Sequence, residues 1–240
     1  MRELTTADLR YVVQRLPRDI RDLLSENPNK LFVGGGFIRA TVAGETPSDI
    51  DIFGVDKDFL IAVANLLSSR RPGSKVHTTK NAVTLLTPDR LPVQFITRWT
   101  FQTSADLIKS FDFTVCQAAV WRHGKGSTAP WQSARGENFY VDLAGRRLVY
   151  TNPVRDEEAG GSMLRVIKYI KRGYTIQVSS LGDVIARMVD KLPPVGRFAA
   201  DTTGQAITGM LREVDPLLVV DGFEIVDDHE PLEARTEEAA

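Results

Sequence analysis

Asp49 and Asp51 are separated by a single isoleucine and lead into Ile52-Phe53-Gly54. On a strand, residues two apart share a face, so both carboxylates project to the same side. Two like-facing carboxylates suit Mg²⁺, which typically binds through one or two carboxylates together with substrate phosphates. Upstream, the apolar run Leu31 to Val33 ends in three glycines, Gly34, Gly35 and Gly36. Glycine permits positive φ and close backbone approach. A helix that starts there turns free N–H groups and a positive dipole end toward an anion. A phosphate cradle and a metal pair within residues 31–54 point to phosphoryl-type transfer from a nucleotide.

The elements that must hold these residues follow from the same stretch. Leu31 to Val33 is a first strand, and Phe37 to Ala43 is a short helix. Gly44 and Pro47 break the helix, and a second strand carries the aspartates. The pattern resembles the nucleotidyltransferase superfamily that includes DNA polymerase β. It is most similar to the head of the bacterial-type CCA-adding enzymes and poly(A) polymerases. Their Gly-Gly-x-aliphatic-Arg-Asp, short helix, Gly and Asp-x-Asp are matched without a gap by Gly35, Gly36, Ile38, Arg39, Gly44, Asp49 and Asp51. Ala40 stands where the family has Asp.

Further stretches extend the resemblance through about residues 30–175. Asp112-Phe113-Thr114-Val115 and Ala119 resemble a motif that lies beside the nucleotide and helps recognise the ribose, but Ser110 and Phe111 replace its preceding arginine pair. The resemblance implies that Asp112 contacts the ribose or supports a metal. The alternative is that it caps a buried helix from Phe113 to Trp121. Asp142 and Gly145 extend the resemblance, in a stretch similar to the family's Asp-Leu-x-x-Gly insertion. Phe139 to Asp142 and Leu148 to Thr151 read as a hairpin around Ala144 to Arg147. Met163 to Tyr174 resembles the family's neck helix, where Arg165 and Lys168 fall within one turn and can meet one phosphate chain. Where the family carries a third carboxylate, in the run Pro92 to Thr97, this chain has Gln94. Where the family reads the base, it has Ala159 and Ser162. Alanine has no side-chain donor or acceptor, and serine cannot reproduce an arginine fork.

The chain has 240 residues, 42% hydrophobic and 25% charged, with a formal net charge of −1. That suits a soluble globular protein and gives no global attraction to nucleic acid, so any RNA contact needs a local basic patch. No stretch approaches the ~20 apolar residues of a membrane span. The N-terminus lacks the apolar core of a signal peptide, and the expected location is cytoplasmic. Cys116 is the single cysteine, which excludes an internal disulfide; it reads as core. His123 reads as a surface residue in a loop running to Ser127.

The remaining expected elements frame the site. Residues 5–27 read as one or two helices, with Thr6 as N-cap and Pro17 opening the second. Asp58 to Leu67 is an amphipathic helix. Lys75–Thr79, Ala82–Leu86 and Leu91–Thr97 form a meander. Leu181 to Leu192 and Gln205 to Val214 are helical, and Pro216 to Val226 is an apolar run. The expected division is a nucleotidyltransferase head over 1–155, a helical neck and C-terminal region over 156–226, and a disordered acidic tail over 227–240.

The expected fold is α+β, a mixed sheet flanked by helices with a small helical C-terminal region. The expected function is metal-dependent transfer of a nucleoside monophosphate from a triphosphate, ATP or another, to an acceptor hydroxyl, with release of pyrophosphate. Asp49 and Asp51 bind Mg²⁺ or Mn²⁺, with Asp112 as the further catalytic carboxylate. Gly35, Gly36, Arg39, Arg165 and Lys168 hold the triphosphate. By analogy the acceptor is an RNA 3′ end, contacted by Arg146, Arg147, Lys171 and Arg172. A protein or small-molecule acceptor, and a nucleotide- or RNA-binding module without catalysis, remain as alternatives.

Overall fold

A computed structural model describes residues 1–124, 129–153, 159–192, 203–207 and 210. Of these, the residues within 1–155 and 173–183 form one compact unit, and those within 156–172 and 184–240 form a second. The loop expected from His123 to Ser127 lies partly outside the described residues. So do most of the helix expected from Gln205, the apolar run Pro216 to Val226 and the acidic tail 227–240.

The first unit is built on a seven-stranded mixed sheet. Two helices precede it: α1 (Thr6–Arg15) and α2 (Arg18–Glu26). Leu16 is extended and Pro17 caps α2, because proline is preorganised for a helix start but cannot continue one. The N-cap of α1 is Thr5 rather than Thr6. Its hydroxyl accepts from the Asp8 amide, since the first polar residue with extended backbone takes that role. Next come β1 (Leu31–Gly34), α3 (Gly36–Val42), β2 (Ile50–Gly54) and α4 (Lys57–Ser69). The meander follows as β3 (Lys75–Thr78), β4 (Ala82–Leu86) and β5 (Val93–Ile96). After α5 (Ser104–Ser110) and a 3₁₀ turn (Thr114–Cys116), β6 (Ala118–Arg122) and β7 (Trp131–Arg135) complete the sheet. The strand order is β3-β4-β5-β2-β1-β6-β7. The β2–β5 pair is parallel and the others are antiparallel.

Strand alternation gives the sheet two different faces. Val33, Ile52, Phe95 and Val83 occupy one row of register partners, with Val120 on β6. This face is apolar over its central strands and packs on helices, notably α4 through Leu60, Val63, Ala64 and Leu67. The next row is His77, Thr84, Gln94, Asp51, Gly34, Ala119 and Ala134, one residue from each strand from β3 to β7. Register partners share a face. The second face is therefore polar from β3 to β2 and small or aromatic from β1 to β7. α5 covers its apolar half, where Leu107 and Ile108 cluster with Phe32, Phe53, Phe101, Ala119 and Ala134.

Two local expectations are corrected. Phe139 to Asp142 is not a strand. It lies in α6 (Phe139–Ala144). Asp142 is 1% exposed there and accepts from the Thr114 hydroxyl at 2.6 Å and from Arg147 Nε at 2.9 Å. A helical turn delivers that carboxylate inward, so tertiary pairing decides the local structure. Arg147 and Leu148 form β8, whose partner is β9 (Thr175–Ile176) in parallel. Nor is Phe113 to Trp121 a helix. The alternation Ala118 to Arg122 pairs with both β1 and β7, burying Ala118, Ala119 and Val120. Cys116 is buried, as a core residue.

Asp19, on α2, anchors the loop after α4. It accepts two bonds from Arg71, at 2.7 and 3.1 Å, and one from Arg90 at 3.0 Å. Burial alone would raise its pKa, but the hydrogen bond and charge of Arg71, with Arg90, outweigh burial and hold it below 3.8. A carboxylate whose folded pKa is depressed contributes stability above its unfolded pKa and loses it as pH falls through the folded one. Asp19→Asn should therefore cost about 2 kcal/mol at pH 7. The variant should also narrow its deficit below pH 4 in urea titrations. A deficit independent of pH would show that the charge is not what Arg71 needs.

The second unit contains α7 (Ala159–Lys171), in which Leu164, Val166 and Tyr169 are buried, and the part of α8 (Val178–Asp190) from Val184 on. The helix expected over Leu181 to Leu192 is α8, which starts earlier and ends at Asp190.

Candidate active site

The glycine turn sits at the C-terminal end of β1. Gly34 is the last strand residue, Gly35 caps α3 with φ 70° and ψ −128°, and Gly36 is the first residue of the helix. Only glycine adopts the Gly35 conformation without strain. Its amide donates to the Ala118 carbonyl at 3.1 Å, which ties the turn to β6. A Cβ on Gly36 would meet nothing within 4 Å, so the space beside that residue is open.

Asp51 lies directly across from Gly34 on one side and from Gln94 on the other. Both Asp49 and Asp51 are half-buried, at the mouth and in the second position of β2 respectively. The pair therefore stands beside the glycine turn, on the face that also carries Gln94 and Thr84. Gln94 is 3% exposed and Thr84 is 4% exposed. Among the described residues no group of three His, Cys, Asp or Glu is arranged to hold a metal ion. The donor set at this point is two carboxylates with an amide alongside, which fits Mg²⁺ when phosphate oxygens complete the shell.

Asp112 follows α5 and is 5% exposed. Its carbonyl accepts from the Thr151 amide at 2.9 Å, and Thr114 donates its amide to the Val149 carbonyl. Phe113 and Tyr150 form the bridge between these two segments. This short pairing fixes Asp112 immediately after Phe111, whose ring covers the glycine turn. A Cβ on Gly34 would lie 2.9 Å from Phe111 Cζ, and one on Gly35 would lie 3.0 Å from Phe111 Cε1. The sequence marks Phe111 only as the residue that displaces an arginine, and nothing in its spacing announces this contact.

The cations are distributed differently from a simple phosphate clamp. Arg39 is 1% exposed, and its Nη1 donates to Glu45 at 2.6 Å and to the Tyr174 hydroxyl at 2.9 Å. Its charge is matched inside the fold. Arg146 has φ 46° and lies over the Tyr174 ring, with Nη2 3.9 Å from Glu45. Arg147 is paired with Asp142. Arg165, Lys168 and Lys171 are on α7, in the second unit, and Arg172 follows with its amide bonded to the Tyr169 carbonyl. Of the residues singled out by sequence, the structure gathers Gly35, Gly36, Asp49 and Asp51 at one end of the central strands β1 and β2. It places Arg39 and Arg146 together on Glu45, behind α3.

This mixed sheet, with its glycine turn beside the Asp-x-Asp strand, has a fold similar to that of CCA-adding enzymes. The chain aligns with the Thermotoga maritima CCA-adding enzyme complexed with tRNA at a TM-score of 0.55 and 18% identity, over 91% of this chain and 52% of that one. It aligns with a CCA-adding enzyme in complex with CTP at 0.57 and 18%, over 92% and 53%. For the complex with ATP the values are 0.56 and 19%, over 91% and 52%. The chain thus spans about half the length of these structures. No curated protein matches it. A family model matches residues 5–143, and the chain belongs to the Gabija anti-defense 2 family. No helix among the described residues is long and apolar enough to cross a membrane.

Proposed function

We propose that the chain transfers a nucleoside monophosphate from a nucleoside triphosphate to an acceptor hydroxyl and releases pyrophosphate. The observation that carries this reading is the register of Asp51 against Gly34, with Asp49 two residues upstream at the open end of the glycine turn. Asp49 and Asp51 would hold Mg²⁺ or Mn²⁺. The bound metal supplies Lewis-acid polarisation of the phosphoryl oxygens and a lower pKa at the acceptor hydroxyl. The Gly36 amide, at the open start of α3, supports the phosphates. Asp112, fixed by the Thr151 pairing, contacts the ribose. Arg165 and Lys168 offset the charge that develops on the leaving pyrophosphate. Arg39 contributes by holding α3 in place through Glu45.

The acceptor on this reading is an RNA 3′ end, with Arg146, Arg147, Lys171 and Arg172 meeting the backbone. Such contacts would make binding strongly salt-dependent. A second acceptor is favoured by the family's own description: anti-defense activity against Gabija directs attention to a hydroxyl on a protein of that defence. The missing base readers at Ala159 and Ser162 support it too, since a protein acceptor places no demand on an ordered nucleotide sequence. A chain that binds nucleotide or RNA without catalysis stands as the third reading.

The deciding experiment incubates the chain with Mg²⁺, each α-labelled triphosphate in turn, total RNA, and an extract of Gabija-bearing cells. Asp49→Ala/Asp51→Ala serves as the control. Label in an RNA band, absent with the double variant, supports the RNA acceptor; label in a protein band supports the second. Nucleotide binding without label anywhere sinks the transfer reading.

A further inference from the structure

The face that carries Asp51 continues directly into aromatic rings. Phe53, two residues along β2, is 6% exposed and meets Phe101 and Phe111 edge to face, at 6.0 and 5.7 Å. Phe111 differs from these neighbours in being half-buried. Because Gly34 and Asp51 are register partners, their Cβ directions share a face, and the Gly34 direction ends on Phe111 Cζ. The ring therefore lies over Gly34, the register partner of Asp51, and over Gly35, and it is partly exposed.

That placement is held from several sides. The Phe111 amide donates to the Ile108 carbonyl at 3.3 Å, and its own carbonyl accepts from the Thr151 hydroxyl at 2.6 Å. The next residue is fixed by the Thr151 amide. The ring packs at 87° on Phe53, which is itself in the buried cluster. An aromatic residue needs few fixed torsions to present a large rigid surface. Ser110 ahead of it caps its helix by donating to the Leu107 carbonyl, so it does not compete for the space.

We propose that Phe111 is the platform on which the nucleobase of a bound nucleoside triphosphate stacks, and that this chain consequently binds the four triphosphates with little base preference. The inference rests on the nucleotidyltransferase reading and names its substrate class. Stacking is tolerant of base identity because every base has a π face. The positions that meet the ring, Gly34, Gly35 and Phe53, offer a base edge no side-chain donor or acceptor. A base held by the ring is thus not sorted by hydrogen bonds from these positions.

The test measures equilibrium binding of ATP, GTP, CTP and UTP to the full chain in Mg²⁺, with inorganic tripolyphosphate as the base-free probe. The wild-type chain should bind the four nucleotides within about five-fold of one another, and each at least ~10-fold more tightly than tripolyphosphate. Phe111→Leu, which keeps an apolar side chain over the glycines, should lose that ~10-fold advantage and leave tripolyphosphate affinity unchanged. Phe111→Tyr should retain the advantage, and melting curves of both variants verify their folding. Nucleotide binding that is indifferent to Phe111→Leu, or that favours one base by much more than five-fold, overturns the inference and leaves the transferase reading standing. A folded wild-type chain that binds no triphosphate overturns both.

Discussion

Asp51→Asn is expected to lower nucleotidyl transfer by roughly 10³-fold or more while leaving the fold intact. Asparagine keeps the shape of aspartate and its place in β2 between Gly34 and Gln94, so the strand register has no reason to change. What disappears is one of the two carboxylates proposed to hold the metal, and a metal's share of charge stabilisation in the transition state is several kcal/mol, with each 1.36 kcal/mol worth ten-fold. Label transfer and thermal melting, measured side by side, check it. A variant that retains a tenth of the activity would move the chemistry away from this strand. Gln94→Glu supplies the converse. It places a third carboxylate opposite Asp51 at a position only 3% exposed. Without metal, like charges at close range should destabilise the chain. Mn²⁺ should restore its melting temperature by more than it raises that of the wild type. Equal responses to Mn²⁺ would argue against a metal at Asp51.

The glycine turn and the aspartate strand were legible because their signals are local: apolar run, Gly triplet, short helix, breaker, alternation. The meander was legible for the same reason, and β3, β4 and β5 fall within the three expected runs. α6 was not, because Phe139 to Asp142 gives no decisive periodicity over so short a stretch. Its state is settled by Asp142 reaching Thr114 and Arg147. The fate of Arg39 was also hidden. Its motif suggests a phosphate contact, yet Glu45 lies only six residues on, across the Gly44 turn, and Tyr174 arrives from far along the chain. Phe111 shows the same limit. A substitution in a motif says what is lost, and only the packing against Gly34 and Phe53 says what has been gained.

Glu45→Ala carries the largest expected effect on stability, about 3–5 kcal/mol, because it takes the Glu45 carboxylate away from the buried Arg39 guanidinium. The Arg39 side chain is 1% exposed and Glu45 is 16% exposed, so solvent reaches the pair from the carboxylate side only. For a domain of this size each kcal/mol moves the melting temperature by roughly 2–4 °C, and a drop on the order of 10 °C is expected in calorimetry. Arg39→Met/Glu45→Leu should recover much of the loss, since replacing both members of a buried pair by apolar residues is often neutral. A double variant as weak as Glu45→Ala would show that the pair contributes through shape and the Tyr174 contact more than through charge. Tyr174 limits the pH range of the arrangement. Burial raises its pKa above 10, Glu45 adds to this, and Arg39 opposes it. A raised folded pKa contributes stability below the unfolded value and loses it as pH rises through the folded one. The network should hold through neutral pH and loosen only at strongly alkaline pH, when the phenol ionises beside Glu45. Because α3 begins at Gly36 and carries Arg39 one turn on, this ion pair also sets how the helix meets the sheet. Glu45→Ala should thus weaken triphosphate binding even at temperatures where the chain remains folded, a coupling that an exposed ion pair elsewhere, such as Arg70–Glu26, would not produce.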